Sequence, residues 1–170
     1  MIIEFKGLPE IRKRHQDNKI VFGSGTFDLT HAGHVLYFED CKKFGDILIV
    51  MVGNDPAVQK SKGEGRPIMN QYVRLKMVDS LKAIDYSFLD YFNKDDYYFG
   101  CLEEAFKKLQ PDIYVVNDDG RDLATREALT KKYGIKLVVL PRTAPKEFEE
   151  ISTTKIIEKI KKDSKTIENP

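Results

Sequence analysis

Five short apolar runs, each set off by helix-like stretches, constrain the fold of this chain more than any other feature. They are Lys19–Gly23, Asp46–Gly53, Asp85–Leu89, Asp112–Val116 and Ile135–Leu140. The second, Asp-Ile-Leu-Ile-Val-Met-Val-Gly, is almost continuously apolar, as a strand covered on both faces must be. Between the runs, apolar residues recur at helical spacing. Val35, Phe38 and Cys41, with Leu36 beside them, predict a buried side on a helix over Gly33–Phe44. Val73, Met77, Leu81 and Ile84 predict another, capped by Asn70 and running to about Ala83. Further helices are expected over Cys101–Leu109, over Leu123–Tyr133, and from a Ser152 cap through about Lys161. Strands alternating with helices predict an α/β fold, a doubly wound parallel five-stranded sheet.

The remainder reads as connections. Leu8-Pro9-Glu10 starts a short helix to about His15 within a lead-in over 1–18, and His15 is expected to be exposed. Asn54-Asp55-Pro56 reads as a turn, followed by a lysine- and glycine-rich loop through Arg66-Pro67. Phe92–Tyr98 is aromatic and acidic and reads as a loop, and 163–170 as a frayed tail. With 170 residues the chain is expected to form one domain.

In a doubly wound sheet, ligands bind outside the carboxyl ends of the strands. Four stretches rich in chemistry fall there: Gly23–His34, Lys60–Arg66, Asp118-Asp119 and Arg142–Thr154. In the first, an apolar strand runs through glycines into His31 and His34 at a helix start. Unpaired N–H groups and the positive end of a helix favour anions, and imidazoles donate to phosphate oxygens. The plainer alternative is a pair of surface histidines. Structural zinc wants four ligands, but His15, Cys41 and Cys101 are scattered, so no metal site is expected.

Other classes are excluded. There is no G-x-x-x-x-G-K-[ST], and Asp28 stands where a dinucleotide fingerprint has its third glycine. A net charge of +1 gives no electrostatic case for bulk nucleic-acid binding. No apolar run suits a signal peptide or a membrane span, and the few cysteines fit reduced thiols in a cytoplasmic protein.

The string of Gly23, Gly25, Phe27-Asp28 and His31-x-Gly33-His34 resembles the signature of the HxGH nucleotidyltransferases, in particular their cytidylyltransferase-like group. The resemblance implies a Rossmann-like fold binding a nucleoside triphosphate, with His31 and His34 stabilising the transition state. It implies contacts from Gly25, Thr26 and Phe27, and Asp28 either ordering the turn or touching the acceptor. Lys60 and Lys62 match phosphate-binding lysines, with Lys62 catalytic, and Arg74 matches an arginine that binds the acceptor's phosphate.

Leu140-Pro141-Arg142-Thr143 with Ile151-Ser152-Thr153-Thr154-Lys155-Ile156 resembles the glycerol-3-phosphate cytidylyltransferases. There Arg142 and Thr143 would fold over base and phosphates, and Ser152, Thr153 and Thr154 would open a helix at the triphosphate. Asp118 is grouped with the nucleotide contacts. This chain departs from that pattern by inserting Ala144–Glu149 and by carrying Glu150 in place of a glycine. Lys62-Gly63 with Arg66-Pro67, and Ser152-Thr153-Thr154 before Lys155-Ile156-Ile157, also resemble the adenylyltransferase domain of ADP-heptose synthesis.

The expected activity is therefore transfer from CTP to a glycerol-3-phosphate-like acceptor, releasing pyrophosphate. The alternative is ATP with a sugar 1-phosphate such as heptose 1-phosphate. A reading of another class is a non-catalytic nucleotide-binding regulatory module. The resemblance also implies Mg²⁺ carried by the nucleotide and a homodimer.

Overall fold

The structure is a computed structural model that describes residues 1–91, 99–120, 122–142, 145, 148 and 151–168. Its strands β1 (Ile20–Gly25), β2 (Ile47–Val52), β3 (Tyr86–Leu89), β4 (Ile113–Asn117) and β5 (Lys136–Leu140) form one parallel sheet in the order β3-β2-β1-β4-β5. The chain moves outward from β1 to β3, then returns to the other side of β1 for β4. The carboxyl ends of β1 and β4 therefore flank the switch point, where a crevice opens. The doubly wound α/β expectation holds.

Side-chain alternation along β1 feeds two cores. Ile20 and Phe22 join Ile49, Phe88 and Tyr114 beneath α1 (Leu8–Arg14), α5 (Gly100–Leu109) and α6 (Leu123–Tyr133). Val21 joins Leu48, Val50 and Val115 beneath α2 (Ala32–Lys42) and α4 (Gln71–Asp79), through Phe38, Cys41, Leu75 and Val78. β2 is buried almost throughout, as its apolar sequence predicts, whereas β5 forms a half-exposed edge.

Several local expectations need correction. Asn54-Asp55-Pro56 opens helix α3 (Asp55–Lys62) instead of a turn into a loop: Asn54 Oδ1 accepts from Ala57 N–H at 2.8 Å, and the proline falls in the first turn. Helix α4 ends at Asp79, short of Ala83, and buries Arg74, Leu75 and Val78 while Val73 and Met77 stay exposed. Its inner face is rotated because the Arg74 guanidinium takes the position nearest the β1–α2 turn. His15 is not freely exposed: Nε2 meets Tyr86 Oη at 2.8 Å and Nδ1 meets Asn18 Oδ1 at 3.2 Å. The last helix, α7 (Thr153–Glu168), continues through most of the expected tail, as no proline or glycine interrupts the sequence from Ile151 to Asn169. Ser152 caps it as expected, Oγ accepting from Lys155 N–H at 3.2 Å. The loop expected over Phe92–Tyr98 lies outside the described residues. Among the described residues no helix is long and apolar enough to cross a membrane.

Candidate active site

The crevice is built on the β1–α2 turn. Phe27 and Leu29 both hold positive φ, 54° and 46°. Such backbone persists only where surroundings over-determine it. Arg74 does much of that work. Fully buried, it donates from Nη1 to Thr26 O at 2.6 Å, from Nε to Met69 O at 2.9 Å, and from Nη2 to Asp55 Oδ1 at 2.7 Å. Asp28 completes the turn, its Oδ1 accepting from Met69 N–H at 2.9 Å and its Oδ2 from Ile68 N–H at 2.8 Å. Gly25 has to be glycine, since a Cβ there would sit 2.8 Å from the Phe27 ring. That ring in turn lies edge-on to His34, centroids 5.5 Å apart.

His31 is the N-cap of α2 and His34 its third residue. Their rings stack with centroids 3.9 Å apart and planes 20° apart. Nδ1 of His31 accepts from Gly33 N–H at 3.1 Å, and Nδ1 of His34 accepts from His31 N–H at 3.4 Å. With Nδ1 occupied as acceptor, the neutral tautomer carries its proton on Nε2. Burial lowers the pKa of both. For His34 it falls to about 3, with His31, Arg142 and Lys62 also opposing a further positive charge and Asp28 partly offsetting them. For His31 burial is again the first cause, followed by Arg142. At neutral pH the pair is two uncharged donors.

The far end of the chain meets this turn. Thr153 Oγ1 donates to Asp28 O at 2.8 Å, and a Cβ on Gly33 would lie 3.6 Å from Ile151 O. The cleft between them has a volume of about 580 Å³. Its walls include Gly25, Thr26, Phe27, Asp28, His31 and His34 from the first crossing, and Lys62 from the end of α3. Arg142, Ser152, Thr153 and Thr154 close it from beyond β5. Arg142 Nε lies 3.3 Å from Asp119 Oδ2.

Some expected residues fall elsewhere. Lys60 is exposed on α3 and does not line the cleft, since the helix turns Lys62 toward it instead. Asp118 is exposed and outside the lining, because the turn after β4 aims Asp119 inward. Arg74 lies behind the wall with its donors on Thr26, Met69 and Asp55, so it positions the turn and does not face an acceptor. Thr143 lies outside the described residues.

The structure adds residues to which sequence reasoning assigned no individual role. Arg66 lines the cleft beside Asp28. Arg126, in the first turn of α6, also lines it, its guanidinium 5.1 Å from the centroid of Phe99 and hydrogen-bonded to Tyr114 Oη. Tyr114 Oη in turn meets Ser24 Oγ at 2.7 Å. A smaller annexe of about 90 Å³ adjoins the cleft through Ser24, Gly25, Thr26, Ser61 and Arg126. Met51, Phe99 and Leu102 give it an apolar wall. The position of Arg126, in the first turn of the helix that follows a central strand, was the available signal. An arginine in an amphipathic helix reads as surface charge without the fold.

A parallel sheet with stacked imidazoles and several cations at its switch point defines a phosphate-handling α/β protein of the nucleotidyltransferase type. The family comparison is specific: a model described as cytidylyltransferase-like matches residues 22–159, and this chain belongs to that family. Among curated proteins it is 38% identical over 152 residues to the bifunctional protein HldE of Pseudomonas putida, and 36% identical over 149 residues to that of Campylobacter jejuni subsp. doylei. Those matches cover 88% and 87% of this chain but only 29% of each relative, so it spans about three-tenths of their length. Among solved structures, a lipopolysaccharide core biosynthesis protein from Thermoplasma volcanium superposes with a TM-score of 0.61 at 26% identity, covering 75% of this chain and 98% of that one. A pantoate-beta-alanine ligase from Francisella tularensis shares the fold at 15% identity and a TM-score of 0.57, covering 92% of this chain and 75% of that one.

Proposed function

We propose that this chain transfers AMP from ATP to a sugar 1-phosphate such as heptose 1-phosphate, releasing pyrophosphate. The transfer chemistry is supported above all by one observation: His31 and His34 meet Arg142 and Thr153, from the opposite end of the chain, across one cleft. The relatives named HldE and the Lys62-Gly63, Arg66-Pro67 and Ser152-Thr153-Thr154 pieces favour adenylyl transfer over the CTP and glycerol-3-phosphate reading. The placement of Arg142 in the cleft keeps that second reading as the comparison arm.

In this mechanism an oxygen of the acceptor's phosphate attacks the α-phosphorus. The bond from that phosphorus to the bridging oxygen breaks, and pyrophosphate leaves with the electron pair. No covalent step on the protein is needed, so catalysis is alignment and charge stabilisation. Nε2–H of His31 and His34 donate to the oxygens of the reacting phosphate. Neutral imidazoles donate without giving up a proton, which suits a step that moves none. Lys62 and the N-terminus of α7, with Ser152, Thr153 and Thr154, hold the outgoing phosphates. Asp28 and Asp119 are each already engaged by an arginine, so Mg²⁺ arriving on the triphosphate would be held chiefly by phosphate oxygens and water and would neutralise charge there.

Pyrophosphate release in a matrix of ATP and CTP against heptose 1-phosphate and glycerol-3-phosphate tests the reading. The greatest turnover is expected with ATP and the sugar phosphate. Nucleotide binding with no release for any pair would favour the non-catalytic module. A homodimer and a cytoplasmic location complete the proposal, and sedimentation at micromolar concentration tests the first.

A further inference from the structure

Among the described residues, one charged donor beside the cleft has no hydrogen-bond partner. Arg66 reaches the wall of the cleft from the segment between α3 and α4, its side chain 16% exposed. Its Nη2 lies 3.2 Å from Oδ2 of Asp28, whose side chain is fully buried. Its Nε is buried with no hydrogen-bond partner among the described residues. Buried donors of this kind are rare, and each calls for an explanation.

Among the described residues, the acceptors of the neighbouring β1–α2 turn are already engaged. Both oxygens of Asp28 are fixed by the N–H groups of Ile68 and Met69, so the carboxylate is not free to swing toward Nε. The carbonyl of Asp28 already takes the Thr153 hydroxyl, and that of Thr26 takes Arg74. The ion pair with Asp28 thus holds the guanidinium in place without satisfying it. Arg66 and Arg74 divide two tasks: Arg74 is wholly engaged inside the protein, whereas Arg66 lines the cleft with its guanidinium only partly matched.

We propose that Arg66 is a phosphate-binding residue, its guanidinium donating to a phosphate oxygen of a bound substrate. An arginine held at one edge by a fixed carboxylate presents its remaining donors in a set direction, which suits a phosphate better than a mobile lysine would. The triphosphate and the sugar phosphate are the two sources of that oxygen. The proposal rests on the nucleotidyl-transfer reading for its ligand.

The test follows the Arg66 Nε–H resonance of the intact chain by ¹⁵N NMR, assigned by its disappearance in Arg66→Lys. The probes are inorganic pyrophosphate, ATP and heptose 1-phosphate, titrated separately. A saturable downfield shift with pyrophosphate and ATP places the donor on the triphosphate. A shift with the sugar phosphate alone places it on the acceptor, and either result supports the proposal. No shift with any of the three overturns it. In calorimetry Arg66→Lys, which keeps a cation beside Asp28, is expected to weaken the probe that shifts the resonance by about tenfold or more. Unchanged affinity in a folded Arg66→Lys also overturns the proposal. A shift in a protein that never releases pyrophosphate would retain Arg66 as a phosphate donor while defeating the transfer reading.

Discussion

The floor of the cleft and its far rim are built in opposite ways. In the floor, Arg74 and Asp28 are 0% and 1% exposed, and their polar groups are tied to named backbone partners. At the rim, Arg142 and Asp119 are each 53% exposed and meet at 3.3 Å. A surface pair of that kind contributes about 0–1 kcal/mol, whereas a buried charge stripped of its partners costs several. The floor is therefore organised before any substrate arrives, and the rim acquires most of its energetic meaning from the substrate. Preorganised donors are the efficient kind in catalysis, because nothing needs to reorient as charge develops.

The largest expected break in that contrast comes from Arg74→Ala. It removes the donors to Thr26 and Met69 and leaves Asp55 without its cation. Asp55 is 36% exposed and can hydrate, so the loss is set at about 3 kcal/mol, near the low end for breaking a buried pair. For a chain of this length, that lowers the melting temperature by roughly 10 °C. Thermal and urea unfolding measure it, and wild-type stability would mean the floor is not the rigid element. Next in size is His34→Ala, expected to reduce kcat by roughly two orders of magnitude, the scale of one lost transition-state donor. Steady-state pyrophosphate release reads this, with circular dichroism confirming the fold. An unchanged kcat would remove His34 from the mechanism.

The same contrast explains what could be read from the sequence. The β1–α2 turn was legible because its parts are contiguous: strand, Gly25, Asp28, His31 and His34 lie within one short stretch. The parallel five-stranded sheet followed because apolar runs alternating with helices permit few topologies, while its strand order came only from the structure. Asn54-Asp55-Pro56 misled, because the residues that favour turns also cap helices. Arg74 misled for a different reason. Arg66 and Arg74 are equally good phosphate ligands as residue types, and only packing turns one into the core and the other to the cleft. Asp118 and Asp119 pose the same problem at adjacent positions, where the path of a turn decides which carboxylate faces inward. Arg126 and Tyr114 come together only through the crossing of α6 over β4.

Arg142→Ala tests the rim at a smaller scale. The KM for the nucleotide is expected to rise about tenfold, with stability changed by no more than about 0.5 kcal/mol. A loss of stability approaching that of Arg74→Ala would erase the distinction between floor and rim.

The smallest effect is the most direct probe of how the two sides communicate. Burial and the nearby cations hold the His34 pKa at about 3, below the ordinary value of about 6.5. The unfolded chain binds this proton first as pH falls, so the His34 contribution to stability is whole above about pH 6.5 and is lost as pH falls toward about 3. A triphosphate beside the imidazole opposes that depression, since its negative charge favours the protonated ring. Nucleotide binding at about pH 5.5 should then take up a fraction of a proton, a smaller one in His34→Ala, where only His31 remains beside the phosphates. Calorimetry in buffers of different ionisation enthalpy measures the uptake. Equal uptake in wild type and His34→Ala would mean that the phosphates do not come near this ring, and the rim would then be gripping a ligand that the floor does not touch.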